Sequence, residues 1–293
     1  MDLSTLSNHA QIQVVIDGTF QELGFLNRRA RNSLTPVYDE RYLKIAQDDK
    51  NVACILTTEA LSPLIADSHP HAVCSKPLET FFDIHNFLLS TDFYSPGQKT
   101  TISPTAQIHP TAYIDATDVV IGERSIVGPN TVILSGSEIG DDCSIGPNST
   151  IGYDGFEIRE LAGKTCCIRH GGKVVVNNNV DIQANCSIAK SVFNAPTTIG
   201  EDCKIGHMVF ISHGVALDRG CKVGANAVIS GSCIIGQDCW IGPNVAISNG
   251  LNIDSGCFIS IGSVVINDLP IGSHVTGNFA IDHKIFLKKM AIG

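Results

Sequence analysis

Aliphatic residues recur at every sixth position through most of the chain after residue 100. The longest unbroken series has thirteen members: Ile199, Ile205, Ile211, Leu217, Val223, Ile229, Ile235, Ile241, Ile247, Ile253, Ile259, Val265 and Ile271. Shorter series raise the total to twenty-five: Ile102, Ile108 and Ile114, then Ile121, Val127, Ile133, Ile139, Ile145 and Ile151, then Val176, Ile182 and Ile188. A period of six matches neither a helix nor an ordinary strand, but it suits short strands joined by tight turns. The pattern predicts a mainly β protein, a three-sided parallel β-helix of roughly eight coils of about eighteen residues.

Two interruptions break the hexad series. The first runs from Gly152 to about Lys173, and the second adds five residues between Ile188 and Ile199. Insertions into a solenoid become loops along one edge, where a regular rod can acquire a site.

The hexad pattern divides the chain into three parts. Residues 1–98 lack the period and alternate β-rich runs (Gln13–Ile16, Val52–Thr57, Ala72–Cys74) with helix-like stretches such as Pro77–Leu89, which predicts a small α/β domain. Residues 91–99 have the composition of a linker. Residues 99–277 form the solenoid, and the helical spacing within residues 278–293 predicts a short C-terminal helix over Asn278–Met290.

Composition and charge narrow the function classes. Hydrophobic residues make up 43% of the chain and charged residues 17%, which excludes a disordered protein. The formal net charge of −9 argues against nucleic acid and anionic membranes as partners. No apolar run approaches the ~20 residues that span a bilayer, and residues 1–13 do not resemble a secretory signal. These features predict a soluble, cytoplasmic protein.

Seven of the eleven cysteines occupy the small fifth position of a hexad: Cys143, Cys186, Cys203, Cys221, Cys233, Cys239 and Cys257. We expect them to pack inward as small apolar residues rather than to form disulfides or bind a metal. Cys166 and Cys167 lie in the first interruption without a matching set of metal ligands, and the sequence assigns them no role.

Candidate chemistry lies at the third position of two adjacent hexads, at His207 and His213. That position is close to a corner of the coil, where side chains point outward. Eighteen residues after His213, one coil further along, lies Gly231, whose backbone N–H no side chain shields. A histidine suits general base catalysis, and a fixed N–H can stabilise an oxyanion. The pair therefore predicts acyl transfer, although a solvated histidine and an ordinary turn glycine would leave the same pattern.

Three segments carry a resemblance to a known family: the hexad array, the GYDGF loop followed by GGKVVVNNNVDIQANCSI, and IGHMVFISHGV. In these the chain resembles the UDP-3-O-(3-hydroxyacyl)glucosamine N-acyltransferases of lipid A biosynthesis and related N-acyltransferases of nucleotide-linked amino sugars. LTPVYDERYL, near the N-terminus, resembles the family's uridine-contacting stretch. The resemblance implies a left-handed coil, against the usual crossover rule.

The resemblance also implies roles for individual residues. The general base falls on His213 and the oxyanion donor on Gly231, with no covalent acyl-enzyme. Substrate contacts fall on Tyr42, Asp39, Asp154, Gly155, Phe156, His170 and His207. The implied co-substrate is acyl carrier protein or coenzyme A carrying the acyl group as a thioester, with no permanently bound cofactor and no metal. The implied acceptor is a nucleotide-linked amino sugar for lipid A, O-antigen or another cell-surface glycan, and the implied assembly is a homotrimer.

Two other function classes are compatible with the sequence. Zinc-dependent carbonic anhydrases use a similar solenoid and three histidines, and His170, His207 and His213 have a suggestive spacing. A non-catalytic protein that binds sugar nucleotides would keep the coil and the N-terminal domain without needing a base near Gly231.

Overall fold

The structure, a computed structural model, describes residues 1–26, 30–95 and 97–277. Within these ranges, the N-terminal part contains three helices and five strands. In chain order these are α1 (Leu3–Leu6), β1 (Gln13–Ile16), β2 (Glu22–Leu23), β3 (Ser33–Pro36), α2 (Glu40–Asp48), β4 (Val52–Thr57), a 3-10 turn (Ser62–Leu64), β5 (His71–Val73) and α3 (Pro77–Leu88).

The five strands form one mixed sheet in the order β1-β5-β4-β3-β2, in which only the β1–β5 pair is antiparallel. Helix α3 buries Phe81, Ile84 and Leu88 completely. Burying side chains of this kind stabilises the domain by about 1.5–3 kcal/mol each. The predicted α/β arrangement is confirmed.

The solenoid consists of three parallel sheets, which we call faces 1, 2 and 3 in chain order. Face 1 contains Thr101–Ile102, Val119–Ile121, Ser137–Ile139, Val174–Val176, Thr197–Ile199, Ala216–Leu217, Ile234–Ile235 and Asn252–Ile253. Face 2 contains Gln107–Ile108, Ile126–Val127, Ser144–Ile145, Asp181–Ile182, Lys204–Ile205, Lys222–Val223, Trp240–Ile241, Phe258–Ile259 and His274–Val275. Face 3 contains Tyr113–Ile114, Val132–Ile133, Thr150–Tyr153, Ser187–Ala189, Phe210–Ile211, Val228–Ile229, Ala246–Ile247 and Val264–Val265.

The hexad aliphatics stack in register inside the coil. Ile211 pairs with Ile188 on one side and with Ile229 on the other, and all three side chains are fully buried. Alternation along each strand directs the preceding residue outward. The predicted fold class, a parallel β-helix behind a small α/β domain, is confirmed.

The hexad pattern fails at the ends of the solenoid. Ile271, the last predicted member, is 76% exposed, and Leu269 instead bridges Ile253 and packs against the core. Ile102, the first member, is 40% exposed. Its strand pairs with the following coil alone. A terminal coil has a neighbour on one side only, so the repeat no longer dictates burial there.

The seven cysteines at fifth positions point into the core, as predicted, and are at most 2% exposed. Their thiols hydrogen-bond to backbone carbonyls, as Cys221 Sγ does to the carbonyl of Gly236 at 3.1 Å. Cys166 and Cys167 lie instead on an antiparallel hairpin (Ile158–Leu161 and Lys164–Cys167) formed by the first interruption.

Both interruptions lie at the corner between face 3 and face 1, and there the N-terminal domain meets the solenoid. Phe193 of the second interruption packs against Phe25 and Phe81, with ring centroids 5.7 and 5.3 Å away. His85 of α3 accepts a hydrogen bond from the Tyr94 hydroxyl and donates one to the Arg169 carbonyl, at 2.7 and 2.8 Å. These contacts join the two domains beside the interrupted corner.

Among the described residues, no helix is long and apolar enough to cross a bilayer. The predicted helix over Asn278–Met290 lies outside the described residues.

Candidate active site

A cavity of about 410 Å³ opens where the two loops of the interrupted corner, the coil edge and the N-terminal domain meet. It is lined by Leu23, Gly24, Phe25, Ala30, Phe156, Glu157, Arg159, Ser191, Val192, Phe193, Ala195, Phe210, Ser212, His213, Gly214, Ser230, Gly231, Ser232, Ile234 and Asn249. Both predicted catalytic residues are therefore in its wall.

His213 lies at this corner, two residues after the end of the face 3 strand Phe210–Ile211, and only 12% of its side chain is exposed. Its Nε2 is 3.3 Å from Oε2 of Glu157, and its Nδ1 is 3.3 Å from the Ser212 hydroxyl. Both ring nitrogens therefore have polar partners, one of them a carboxylate from the first interruption.

Gly231 lies one coil from His213 at the same corner, and it is buried. A Cβ at this position would come within 2.5 Å of His213 Nε2 and within 3.0 Å of Cδ2. The imidazole therefore occupies the space that a side chain would need, which explains why glycine stands here. No residue in the described part of the chain accepts a hydrogen bond from the Gly231 N–H.

His170 stands beside His213, with ring centroids 5.3 Å apart and planes nearly perpendicular. Its Nδ1 donates to the Ile168 carbonyl at 2.9 Å, and its Nε2 accepts from the Gly155 N–H at 3.1 Å. Burial, and secondarily the charge that His213 can carry, lower the pKa of His170 to about 4. His170 is therefore neutral near pH 7 and supports the GYDGF loop through a fixed tautomer.

Glu157 is ionised although it is largely buried. Burial alone would raise the pKa of Glu157, but the hydrogen bond from His213 and the charge of Arg159 outweigh it and lower the pKa. Arg159 Nη2 contacts Oε1 of Glu157 at 2.6 Å, and its guanidinium lies 5.6 Å from the ring centre of Phe25. Oε1 of Glu157 thus forms an ion pair with Arg159, and Oε2 faces His213.

Part of the cavity wall is apolar. It consists of Leu23 and Phe25 of the N-terminal domain, Val192 and Phe193 of the second interruption, and Phe210 and Ile234 of the coil. The cavity therefore combines the polar groups of His213, Glu157 and Gly231 with an apolar lining.

The predicted loop residues lie close to this site. Gly155 is so close to His213 that a Cβ there would be 2.9 Å from Nδ1. Asp154 accepts a hydrogen bond from the His170 N–H at 3.3 Å and lies 3.5 Å from Lys190 Nζ. Phe156, which is 81% exposed, stands at the rim of the cavity and can contact a ligand.

The structure does not bring three other predicted residues into this cavity. Asp39 caps α2 and pairs with Arg41, whose hydrogen bond lowers the pKa of Asp39 to about 2, and Tyr42 is 49% exposed on the same helix. His207 lies at the opposite end of face 3, where its Nδ1 accepts from the Ala184 N–H at 3.2 Å. Within one chain these residues belong to other surfaces.

The three histidines considered for zinc do not come together in the chain as described. Only His170 and His213 are neighbours, and His170 already uses both ring nitrogens. In the described ranges, no group of three His, Cys, Asp or Glu side chains could hold a metal ion.

Sequence reasoning missed Glu157, Arg159 and the apolar wall. Glu157 directly follows the GYDGF loop, so its position in the sequence could have indicated a carboxylate near the candidate site. Phe25 and Phe193 are far apart in sequence and carry no periodic signal, so nothing in the sequence pairs them.

The chain matches a family model, two curated relatives and a solved structure. The family model described as bacterial transferase hexapeptide (six repeats) matches residues 118–153 and 196–231, and the second segment contains His213 and ends at Gly231. The UDP-3-O-acylglucosamine N-acyltransferase of Leptospira biflexa is 37% identical over 83 residues, 28% of this chain and 22% of that protein. UDP-3-O-acylglucosamine N-acyltransferase 1 of Legionella pneumophila is 42% identical over 71 residues, 24% of this chain and 20% of that protein.

Among solved structures, the UDP-N-acetylglucosamine acyltransferase from Campylobacter jejuni matches 61% of this chain and 72% of its own, at 20% identity and a TM-score of 0.49. The sequence matches span about a fifth of the length of the curated relatives. Two segments of the chain therefore match the bacterial transferase hexapeptide model, and about a quarter of its length is similar to UDP-3-O-acylglucosamine N-acyltransferases.

Proposed function

We propose that the protein is an N-acyltransferase that moves an acyl group from a pantetheine thioester, on acyl carrier protein or coenzyme A, to the amine of a nucleotide-linked amino sugar. The observation that carries this proposal is the imidazole of His213 lying against the backbone of Gly231 in the wall of a cavity that has both polar and apolar lining residues. The curated relatives, which are named as N-acyltransferases of an acylated UDP-glucosamine, support the same class of reaction.

The proposed reaction is a direct transfer. The amine nitrogen attacks the thioester carbonyl carbon, the C–N bond forms, and His213 takes the proton that the nitrogen loses. The Gly231 N–H donates a hydrogen bond to the oxyanion of the tetrahedral intermediate, an interaction typically worth about 3 kcal/mol. When the C–S bond breaks, His213 returns the proton to the thiolate, so the products are an amide and a free thiol.

The apolar lining of the cavity supports a donor whose acyl chain is larger than acetyl. Phe25, Phe193 and Ile234 would surround hydrocarbon, and each buried methylene contributes about 0.8 kcal/mol to binding. Ser230, Ser232 and Asn249 lie in the same wall and offer polar contacts for a pantetheine arm along the coil edge.

The proposed assembly is a homotrimer. The outward-facing residues of face 3 include no charged side chain: Tyr113, Val132, Thr150, Ser187, Phe210, Val228, Ala246 and Val264. Face 2, in contrast, carries Asp181, Lys204 and Lys222 in these positions. An uncharged face fits contact with other copies of the chain. The nucleotide contacts assigned to Asp39 and Tyr42 rest on the resemblance, as does a substrate contact by His207.

The function is tested by His213→Ala, with His109→Ala, at an exposed histidine of the solenoid outside the cavity wall, as the control. Loss of the base should lower kcat for acyl transfer by about 10²- to 10⁴-fold. His109→Ala should change it little, and the circular dichroism spectrum and Tm should be unchanged in both. A His213→Ala enzyme that transfers acyl groups at the wild-type rate would refute the mechanism.

The substrates are found by a thermal-shift panel of UDP-, dTDP- and GDP-linked amino sugars with acyl-CoA thioesters of several chain lengths and acyl carrier protein. Selective binding raises Tm. Tyr42→Ala should remove the shift given by the preferred nucleotide, and an unchanged shift would remove Tyr42 from the proposed site.

A further inference from the structure

Glu157 is a largely buried carboxylate in the cavity wall that the proposed reaction, as written for a neutral amine, does not use. Its Oε2 lies 3.3 Å from His213 Nε2, the ring nitrogen closest to Gly231. While Glu157 accepts a hydrogen bond from this nitrogen, His213 carries its proton there and cannot act as a base on that side. The contact between Glu157 and His213 must therefore open when the amino sugar binds.

The proton balance of the reaction requires a second proton acceptor besides His213. Near pH 7 much of an amino sugar is in the ammonium form, because such an amine titrates close to an α-amino group, at about 7.7–8.0. An ammonium must lose one proton before its nitrogen can attack and a second one during attack. The thiolate takes back one proton, and the other leaves the site. An alcohol acceptor has only one proton to lose.

We infer that Glu157 is the ammonium-binding residue of the acceptor site and selects an amine over a hydroxyl. This inference rests on the proposed function. The ammonium enters between Oε2 of Glu157 and Nε2 of His213 and donates a hydrogen bond to each. The imidazole proton then resides on Nδ1, where the Ser212 hydroxyl can accept it across the observed 3.3 Å. Glu157 receives the first proton and passes it to solvent, and His213 takes the second.

The surroundings of Glu157 fit this role. Arg159 engages Oε1 at 2.6 Å, so Oε2 remains for the ligand. The guanidinium of Arg159 stays in place over the rings of Phe25 and Phe82, at 5.6 and 5.8 Å from their centres. The other charged or titratable groups beside the pair, His170, Asp154 and Lys190, bond to one another or to the backbone.

The test uses pairs of UDP-, dTDP- and GDP-linked sugars, each an amino sugar and the same sugar with a hydroxyl in place of the amine. Binding to the wild type, to Glu157→Gln and to the control Glu160→Gln is measured by calorimetry at pH 6.5 and pH 9. Glu160 lies exposed on the same hairpin outside the cavity wall, so its variant makes the same charge change.

At pH 6.5 the wild type and Glu160→Gln should bind the amino sugar about 30-fold or more tightly than its hydroxyl counterpart, and Glu157→Gln should bring the ratio near one. At pH 9 the wild-type preference should shrink, because the amine has lost its charge. If Glu157→Gln lowers acyl transfer but keeps the preference at pH 6.5, Glu157 only positions His213 and the inference is wrong while the proposed function stands. If no pair binds to the wild type, both fail.

Discussion

His207 and His213 occupy the same position of adjacent hexads, at the two corners that bound face 3, yet their surroundings differ. At the corner of His213 the chain is interrupted twice, and the resulting loops and the N-terminal domain enclose the ring beside a carboxylate. At the corner of His207 the coil is regular, and the ring accepts a single backbone hydrogen bond at 3.2 Å. The repeat directs both side chains outward, and the insertions turn only one of them into a candidate catalytic group.

The residues one coil further along show the same contrast. Gly231 follows His213 by one coil, and a methyl group there would collide with the imidazole. Ala225 follows His207 by one coil and already carries that methyl group. The space above the histidine is thus kept clear at the corner of His213 and not at the corner of His207.

Among the variants that test the difference between the two corners, Gly231→Ala should give the largest effect. The added Cβ would lie 2.5 Å from His213 Nε2 and must displace the imidazole from the oxyanion donor. We expect kcat for acyl transfer to fall by about 10²- to 10³-fold, as for loss of one oxyanion contact. Steady-state kinetics beside the control Ala225→Gly should show a loss in the first variant alone. Equal losses in both would mean that the corners do not differ in chemistry.

His170→Gln tests the buried support of the GYDGF loop. The pKa of His170 falls to about 4 on folding, whereas an unfolded histidine titrates near ~6.5, so the unfolded chain binds more protons between these values. The contribution of His170 to the free energy of unfolding is therefore fully present above pH ~6.5. It falls by about 3 kcal/mol as the pH drops toward 4. Urea unfolding from pH 7 to 4 should show this loss in the wild type, and His170→Gln should lack it. Parallel curves would show that His170 is not held neutral by the fold.

Gly214→Ala should give the smallest effect. Gly214 and Met208 directly follow the two histidines, and both have left-handed φ values, 66° and 58°. A Cβ at Gly214 would meet nothing closer than Ser232 Oγ at 3.5 Å, so its cost is the backbone preference alone, about 1 kcal/mol. Met208→Ala keeps a Cβ at this conformation and removes an exposed side chain, so it should change the free energy of unfolding little. Urea midpoints of the two variants measure the difference, and equal midpoints would show that the turn at His213 does not need glycine.

The solenoid was predictable because its information is local and repeated. Each hexad specifies one inward position. Between the two ends of the solenoid, stacking of the coils leaves a single register in which the hexad aliphatics are buried. The same regularity placed Gly231 one coil from His213. The prediction lost accuracy where stacking stops, at Ile102 and Ile271, since a terminal coil has one neighbour instead of two.

The enclosed site could be predicted only in part. The interrupted corner could be located in the sequence, but Glu157 and Arg159 lie on a hairpin without a period, and their direction depends on the packing of that hairpin. The apolar wall joins Phe25 to Phe193 across 168 positions of the chain. Hydrophobic contacts of this range are set by shape and packing rather than by spacing.

By itself, the sequence determined the three-sided coil, its inward aliphatic and cysteine positions, the interrupted corner and the stacking of Gly231 near His213. These follow from the fixed rise and periodicity of stacked strands. Only the tertiary structure decided that His213 faces Glu157, that His170 is held neutral beside it, and that the N-terminal domain contributes apolar side chains to the cavity around the pair. Those features depend on contacts between segments far apart in the chain, and their burial changes which side chains are charged.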